Sequence, residues 1–306
     1  MESKIMAAVL TGLQTLGEQE ATLAGAVMAV KAAAWVIDAV KPLLPLLDQK
    51  YAGTPAGAQL AAAHNILDAS AKVRKRILEY SADGRLTREV LIESLDDPAF
   101  AVFFKGGLSD ASETDSELSH EQFALLVCER MVHSKGSGEA IKLRMAADRL
   151  LDLTDRHLPL IGAIFVAQHV FPDPFEASGS IDEDSVVTKR HPPLKFGPHW
   201  DVQIVGQDFD HLDAANILEI HDRRVGLRVG GERISFMLNR LGSDYLGPST
   251  RMGSEVFTHL YHWMQGDRNA GVLGFKSVSL KQPGWIIGAT IHSHLRGIPV
   301  DLGRWE

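Results

Sequence analysis

The stretch that decides the fold runs from Ala21 to Val40 and reads ATLAGAVMAVKAAAWVIDAV. It is long enough to cross a membrane, and its only charged residues are Lys31 and Asp38. Each charge near the middle of a membrane helix costs about 2.5–3.5 kcal/mol, whereas each large apolar residue returns only about 0.3–0.6 kcal/mol. The two charges also share one helical face. The stretch therefore predicts an amphipathic helix buried in a bundle, and a helix that enters a membrane after a conformational change remains the alternative.

The sequence on either side of this stretch is typical of a helical bundle. Alanine-rich runs such as Ala61–Ala63 let helix backbones approach closely, and Pro42 and Pro45 predict a kink or a short connection. Thr54 and Pro55 predict the start of a helix that runs to about Tyr80. We interpret its basic residues as complementing the negative end of the helix dipole: Lys72, Arg74, Lys75 and Arg76.

Further helix ends are marked by capping residues and glycines. Thr87 and the pair Asp97-Pro98 predict two helix starts, and Gly106-Gly107 predicts an end. Ser119-His-Glu-Gln122 has the pattern of a capping box. Together these signals predict a helical bundle over residues 1–172.

The composition changes in the second part of the chain, where glycine rises and short alternating apolar segments appear. We predict a smaller α+β region over residues 186–306, so that the whole chain is mainly α. The predicted strands are Val202–Val205, Val225–Val229 and Val278–Leu280, and the predicted helices lie around Ala214–His221, Ile234–Leu241, Ser254–Met264 and Gly284–Leu295.

Composition limits the classes of protein that the chain can represent. The formal net charge of −8 does not favour nucleic acid as the partner of the whole chain. The single cysteine, Cys128, cannot form an internal disulfide, and there is no glycosylation sequon or clear signal peptide, so we expect a cytoplasmic protein. The apolar neighbours of Cys128 predict a buried structural thiol.

Thirteen histidines make metal chemistry a hypothesis to weigh. His259 and His262 would share one face of a helix, although no glutamate follows the first histidine as it does in zinc proteases. His292 and His294 would diverge on a helix. Because His259 and His262 could still act as a pair of ligands, one alternative function is a metal-dependent hydrolase that uses His259, His262 and His292.

Carboxylates and imidazoles also occur together in His199-Trp-Asp201 and in Asp208-Phe-Asp210-His211, which is the composition of a general acid–base pair. No nucleophile elbow accompanies them, and neither a Walker A motif nor Gly-x-Gly-x-x-Gly is present. We predict no cofactor, and the sequence assigns no catalytic residue.

The second part of the chain has one basic segment of note, between His221 and Arg240. Arg223, Arg224 and Arg228 are its candidate phosphate contacts, and such contacts would make binding depend on salt. A nucleic-acid-binding protein is a second alternative, and a solvated, neutralised face is the simpler interpretation.

Two short stretches carry a resemblance to a known family: Leu153-Thr-Asp-Arg-His-Leu-Pro-Leu-Ile and Ser277-Val-Ser-Leu-Lys-Gln-Pro-Gly-Trp-Ile-Ile-Gly288. The combination resembles uncharacterised bacterial proteins related to the abortive-infection alpha type. The resemblance implies a helical front part, a winged-helix-like tail with a strand-to-helix turn, and a role in antiviral defence. Lys281 stands where that family usually has threonine.

The leading hypothesis is a non-enzymatic effector or regulatory protein of a bacterial defence or stress system that acts through helical assembly. Self-association or a protein partner is expected. A winged-helix nucleic-acid binder, a metal-dependent hydrolase and a membrane-disrupting effector remain the alternatives.

Overall fold

The computed structural model describes residues 34–133, 136–166, 205–223 and 275–296, together with positions 9, 11, 12, 300 and 302. The chain divides into two compact units, Met1–Asp152 and Leu153–Glu306. The described residues are mainly helical, which confirms the predicted fold class at that level.

The first unit consists of helices joined by short connections. Residues 34–40 are helical, and a short 3-10 turn at Lys41–Leu43 carries Pro42, as the prolines predicted. Six described helices follow, of which α1 and α3 are short: α1 (Leu44–Lys50), α2 (Ala56–Ala82), α3 (Arg88–Leu95), α4 (Pro98–Ala111), α5 (Glu117–Val132) and α6 (Gly138–Leu150).

Two of the predicted helix starts are confirmed by their capping hydrogen bonds. The Thr87 hydroxyl accepts from the Val90 amide at 3.3 Å, and the Asp97 carboxylate accepts from the Ala99 amide at 3.0 Å. Thr54 was wrongly predicted to cap α2, because its hydroxyl donates to the Tyr51 carbonyl instead.

The capping box predicted at Ser119 is also wrong. Ser116 caps α5 and accepts from the Ser119 amide at 3.0 Å, so the helix starts earlier than predicted. Ser119 itself is fully buried within α5.

Gly106 and Gly107 do not end α4, which continues to Ala111. A Cβ atom at position 107 would lie 2.2 Å from Cε2 of Phe123, whereas one at position 106 would meet open space. Gly107 therefore lets α4 approach α5 closely, and tertiary packing explains what looked like a helix end.

Helix α5 is the centre of the first unit and packs against α2, α3, α4 and α6. Along α2, Asp68 and Tyr80 contact His120 and Glu129 of α5 in the same order, so the two helices run in the same direction. Every described side chain from 118 to 131 is buried except that of Glu121, which is half-buried.

An aromatic cluster attaches the helix at residues 34–40 to α4. The Trp35 ring lies 5.6 Å from the Phe100 ring and 4.4 Å from the Phe104 ring, measured between centroids. Val36 and Val40 are buried. The end of the Ala21–Val40 stretch thus packs in a bundle as predicted, while residues 21–33 lie outside the described residues. Within the described ranges, no helix has both the length and the apolar character needed to span a membrane.

The second unit combines three described helices with a two-stranded antiparallel sheet in which Leu218 lies opposite Leu280 and Ile220 opposite Val278. The strand predicted at Val278–Leu280 and the helix predicted at Gly284–Leu295 are confirmed. The elements are α7 (His157–Phe165), α8 (Gly206–Ala214), β1 (Leu218–Arg223), β2 (Phe275–Leu280) and α9 (Gln282–Arg296).

The helix predicted around Ala214–His221 is wrong. Helix α8 ends at Ala214, Asn216 adopts a left-handed backbone conformation with φ of 59°, and β1 begins at Leu218. Asparagine tolerates this conformation, which stops a helix. The segments predicted at Val225–Val229, Ile234–Leu241 and Ser254–Met264 lie outside the described residues.

Glycines place α9 close to its neighbours. A Cβ atom at position 288 would lie 2.5 Å from Cβ of Phe165 in α7, and one at position 284 would lie 2.3 Å from the Ile217 carbonyl oxygen. The Pro-Gly-Trp-Ile-Ile-Gly sequence therefore fits α9 tightly onto α7 and the start of β1.

Along the chain, the division between the two compact units lies between Asp152 and Leu153. Helix α7, which we assigned to the bundle at residues 1–172, belongs to the second unit. The boundary that the sequence predicts, between about residues 172 and 198, lies outside the described residues and stays a prediction.

Candidate functional site

Two stretches noted in the sequence meet in the second unit, at the starts of α7 and α8. The Nε2 atom of His157 lies 3.6 Å from Oδ1 of Asp208, and both side chains are buried. The His157 ring stacks on the His211 ring with centroids 4.7 Å apart and planes inclined by 12°. The structure therefore joins the resemblance stretch to the acid–base stretch.

Each buried group also secures the start of its own helix. The Thr154 amide donates to Nδ1 of His157 at 3.1 Å, and the Val205 amide donates to Oδ2 of Asp208 at 2.7 Å. Because Nδ1 accepts this bond, the proton of the neutral imidazole belongs on Nε2, which is the nitrogen that faces Asp208. Nδ1 of His157 therefore has a hydrogen-bond partner, whereas Nε2 lies near Asp208 at a distance longer than a hydrogen bond.

Burial lowers the pKa of His157 from 6.5 to about 4. The neighbouring His211 and Arg156 lower it as well, whereas Asp208 acts in the opposite direction. His157 is consequently neutral at pH 7. Arg156, which is exposed, lies 3.4 Å from Oδ1 of Asp208 and supplies a positive charge at the edge of the cluster.

Thr154, His157 and Asp208 have the composition of a nucleophile, a base and an acid, since the Thr154 hydroxyl lies 3.2 Å from Nδ1 of His157. The lone pair of Nδ1 already accepts the backbone N–H of Thr154. It is therefore poorly placed to take the hydroxyl proton, and the arrangement is better suited to joining two helix starts than to nucleophilic catalysis.

A second polar cluster surrounds α5 in the first unit. Glu129, whose side chain is buried, accepts from the Tyr80 hydroxyl and, at 2.8 Å, from the Arg85 guanidinium. Burial raises the pKa of Glu129, although the bonds from Tyr80 and Arg85 oppose that effect. The guanidinium of Arg85 also lies over the Tyr80 ring.

The basic cluster of α2 has a different role from the predicted one. Helix α2 extends to Ala82, so these cations are not in its last turn. Lys72 and His120 instead contact Oδ2 of Asp68 at 2.6 and 2.7 Å, and Arg76 pairs with Glu121 at 3.2 Å. Burial acts to raise the pKa of Asp68, but the bonds from Lys72 and His120 outweigh it and hold that pKa below its usual range.

The remaining candidate residues are placed as follows. Arg223 is the last residue of β1, and His292 lies in α9 with its ring 5.8 Å from that of Phe165. Among the described residues, no group of three or more potential ligands is arranged to hold a metal ion. The other candidates for nucleic-acid or metal binding lie outside the described residues, and those assignments stay predictions: Arg224, Arg228, His259 and His262.

Cys128 is fully buried, and burial raises the pKa of its thiol, which agrees with the predicted structural role. The buried charges of α5 were not predicted. The one sequence feature that could have indicated these buried charges is the spacing of Glu121 and Glu129 within a helix that also carries a continuous apolar run.

Comparison with known proteins finds no matching family model, no matching curated protein and no matching solved structure.

Proposed function

We propose that this protein is a non-enzymatic effector or regulatory protein of a bacterial defence or stress system, and that identical chains assemble through helices of the first unit. The proposed place in a bacterial defence or stress system rests on the family resemblance of the two short sequence stretches. The mode of action rests on the surface of α6.

The observation that carries the proposal is a pair of exposed apolar side chains on α6. Ile141 is 58% exposed and Met145 is 40% exposed. They are one helical turn apart and therefore lie on the same face. Large apolar side chains grouped on a helix surface are typical of a face that another helix covers.

Charged groups of both signs border this pair. Arg144 lies 3.9 Å from Asp148, and both side chains are largely exposed. A two-fold contact between identical chains needs a surface that is complementary to itself. A face with an apolar centre and both charge signs at its edge meets that requirement, so we take a second copy of the chain as the partner.

The finer expectation for the second unit is a winged-helix-like fold. Its support is the turn from β2 through Lys281 into α9, which agrees with the strand-to-helix turn that the resemblance implies. The proposed assembly does not depend on this fold.

The experiment compares Ile141→Glu with Leu60→Glu by sedimentation velocity over a range of protein concentrations. Leu60 is a matched control because it is 55% exposed and also lies near the start of its helix, on α2. We expect self-association of the wild type, a dissociation constant at least about tenfold higher for Ile141→Glu, and little change for Leu60→Glu.

A wild-type protein that is monomeric at every concentration would contradict the assembly. Equal weakening by both substitutions would contradict the assignment to α6.

A further inference from the structure

A cavity of about 170 Å³, partly open to solvent, lies in the first unit between α3 and the end of α5. Val90, Met131 and Val132 form its apolar wall. An engineered cavity of about 150 Å³ in another protein holds benzene. The volume therefore suits a ligand of about six to eight non-hydrogen atoms.

A buried ion pair forms part of the polar wall. Asp97 and Arg130 have side chains that are 8% and 9% exposed, with Oδ2 and Nη2 3.2 Å apart. Within the described part of the chain, Arg130 donates to Asp97 and to the carbonyl of His133. A guanidinium has five N–H donors, so donors remain for an acceptor on a ligand.

A negatively charged side chain lies at the rim of the cavity. Glu93 lines the cavity and is exposed, and among the described residues it forms no ion pair. His133 also lines the cavity, with Nε2 3.9 Å from Oε2 of Glu129. Because the charges of Asp97 and Arg130 offset each other, the carboxylate of Glu93 is the unmatched charge of the wall.

We propose that this cavity binds a small zwitterionic α-amino acid, whose ammonium group pairs with Glu93 and whose carboxylate accepts from Arg130. A ligand with a positive charge alone would leave the donors of Arg130 unused. A ligand with a negative charge alone would face Glu93. The site lies on α3 and α5, so it is independent of the assembly surface proposed on α6.

The test is a ligand-observed NMR titration of the full-length protein with L-serine, alongside acetate and ethanolamine, which each carry one of the two charges. We expect serine to bind with a dissociation constant on the order of 1 mM, and each single-charge probe to bind at least about tenfold more weakly. Glu93→Gln removes a charge-assisted hydrogen bond and should weaken serine binding at least about tenfold.

Glu89→Gln is the matched control. Glu89 is exposed on the same helix one turn earlier, and its replacement removes the same charge away from the cavity. Serine affinity should stay within about twofold of the wild type in this variant. Absence of saturable serine binding, ethanolamine binding as tight as that of serine, or equal weakening by both substitutions would each overturn the proposal.

Discussion

Helices α5 and α7 are both enclosed within their units, yet they are stabilised in different ways. Helix α5 buries polar side chains along its length, including His120, Gln122 and Glu129, whereas α7 buries an apolar sequence after His157. In α7 the polar residue stands at the helix start, where backbone donors are available. In α5 most of the groups that pair with the buried polar side chains have to come from other helices.

This difference separates two sources of structural specificity. Apolar packing tolerates substitutions of similar volume, whereas a buried charge needs its own partner in a fixed position. We therefore expect α5 to be the more sensitive helix to loss of a single polar group, and α7 to be sensitive mainly to changes of shape.

The largest expected effect tests the polar side of this comparison. Glu129→Ala leaves the buried Tyr80 hydroxyl and the Arg85 guanidinium without their shared acceptor, and should lower the free energy of unfolding by about 3–5 kcal/mol. Denaturant unfolding measures the change. Glu117→Ala, on the same helix but largely exposed, should cost no more than about 1 kcal/mol. Similar losses in both variants would contradict the importance of burial.

The next effect tests the shape of the packing, because a glycine of a neighbouring helix packs closely against each of the two buried helices. Gly107 of α4 lies against α5, and Gly288 of α9 lies against α7. Gly107→Ala and Gly288→Ala should each destabilise the protein by about 1–3 kcal/mol through overpacking. Gly288→Ala should cost more, since its new Cβ would meet Cβ of Phe165, which cannot rotate away, while Gly107→Ala meets only the edge of the Phe123 ring.

Gly106→Ala is the control for both glycines. It lies beside Gly107 in the same helix but faces open space, so it should stabilise the protein by up to about 1 kcal/mol. Thermal melts of the three variants decide between these outcomes. A destabilising Gly106→Ala would show that helix geometry, and not the neighbouring ring, limits substitution here.

A smaller effect of opposite sign concerns Gln122. Its side-chain amide is fully buried, and neither amide atom has a hydrogen-bond partner in the described structure. Gln122→Met keeps the approximate volume and should raise the free energy of unfolding by about 1 kcal/mol or more. Ser119→Ala should instead lower it, because the Ser119 hydroxyl donates to Ser116 at 2.8 Å. Destabilisation by Gln122→Met would indicate that the amide has a partner.

The smallest effect at neutral pH concerns His157, whose pKa is lowered from 6.5 to about 4. Between these values the unfolded chain takes up a proton that the folded second unit resists, so stability falls as the pH decreases from 6.5 to 4 and is unaffected above that window. His157→Gln keeps an acceptor for the Thr154 amide and should flatten this dependence in urea unfolding. An unchanged pH profile in this variant would contradict the assignment of the pH dependence to His157.

Much of the fold followed from local signals in the sequence. Thr87 and Asp97 mark helix starts through bonds to amides a few residues away, and α9 follows from its apolar periodicity. The role of Gly107 could not be predicted, because it depends on a ring that belongs to another helix. The same holds for the meeting of His157 with Asp208, since their pairing depends on how two separate helix starts are brought together.

The parallel arrangement of α2 and α5 has a consequence for how the first unit folds. The contacts of Asp68 with His120, Tyr80 with Glu129 and Arg85 with Glu129 join residues 52, 49 and 44 positions apart. Contacts over such separations require a long loop to close first, which slows folding. During synthesis, Tyr80 and Arg85 would leave the ribosome well before their common acceptor on α5, so the centre of this unit can form only after residue 129 has emerged.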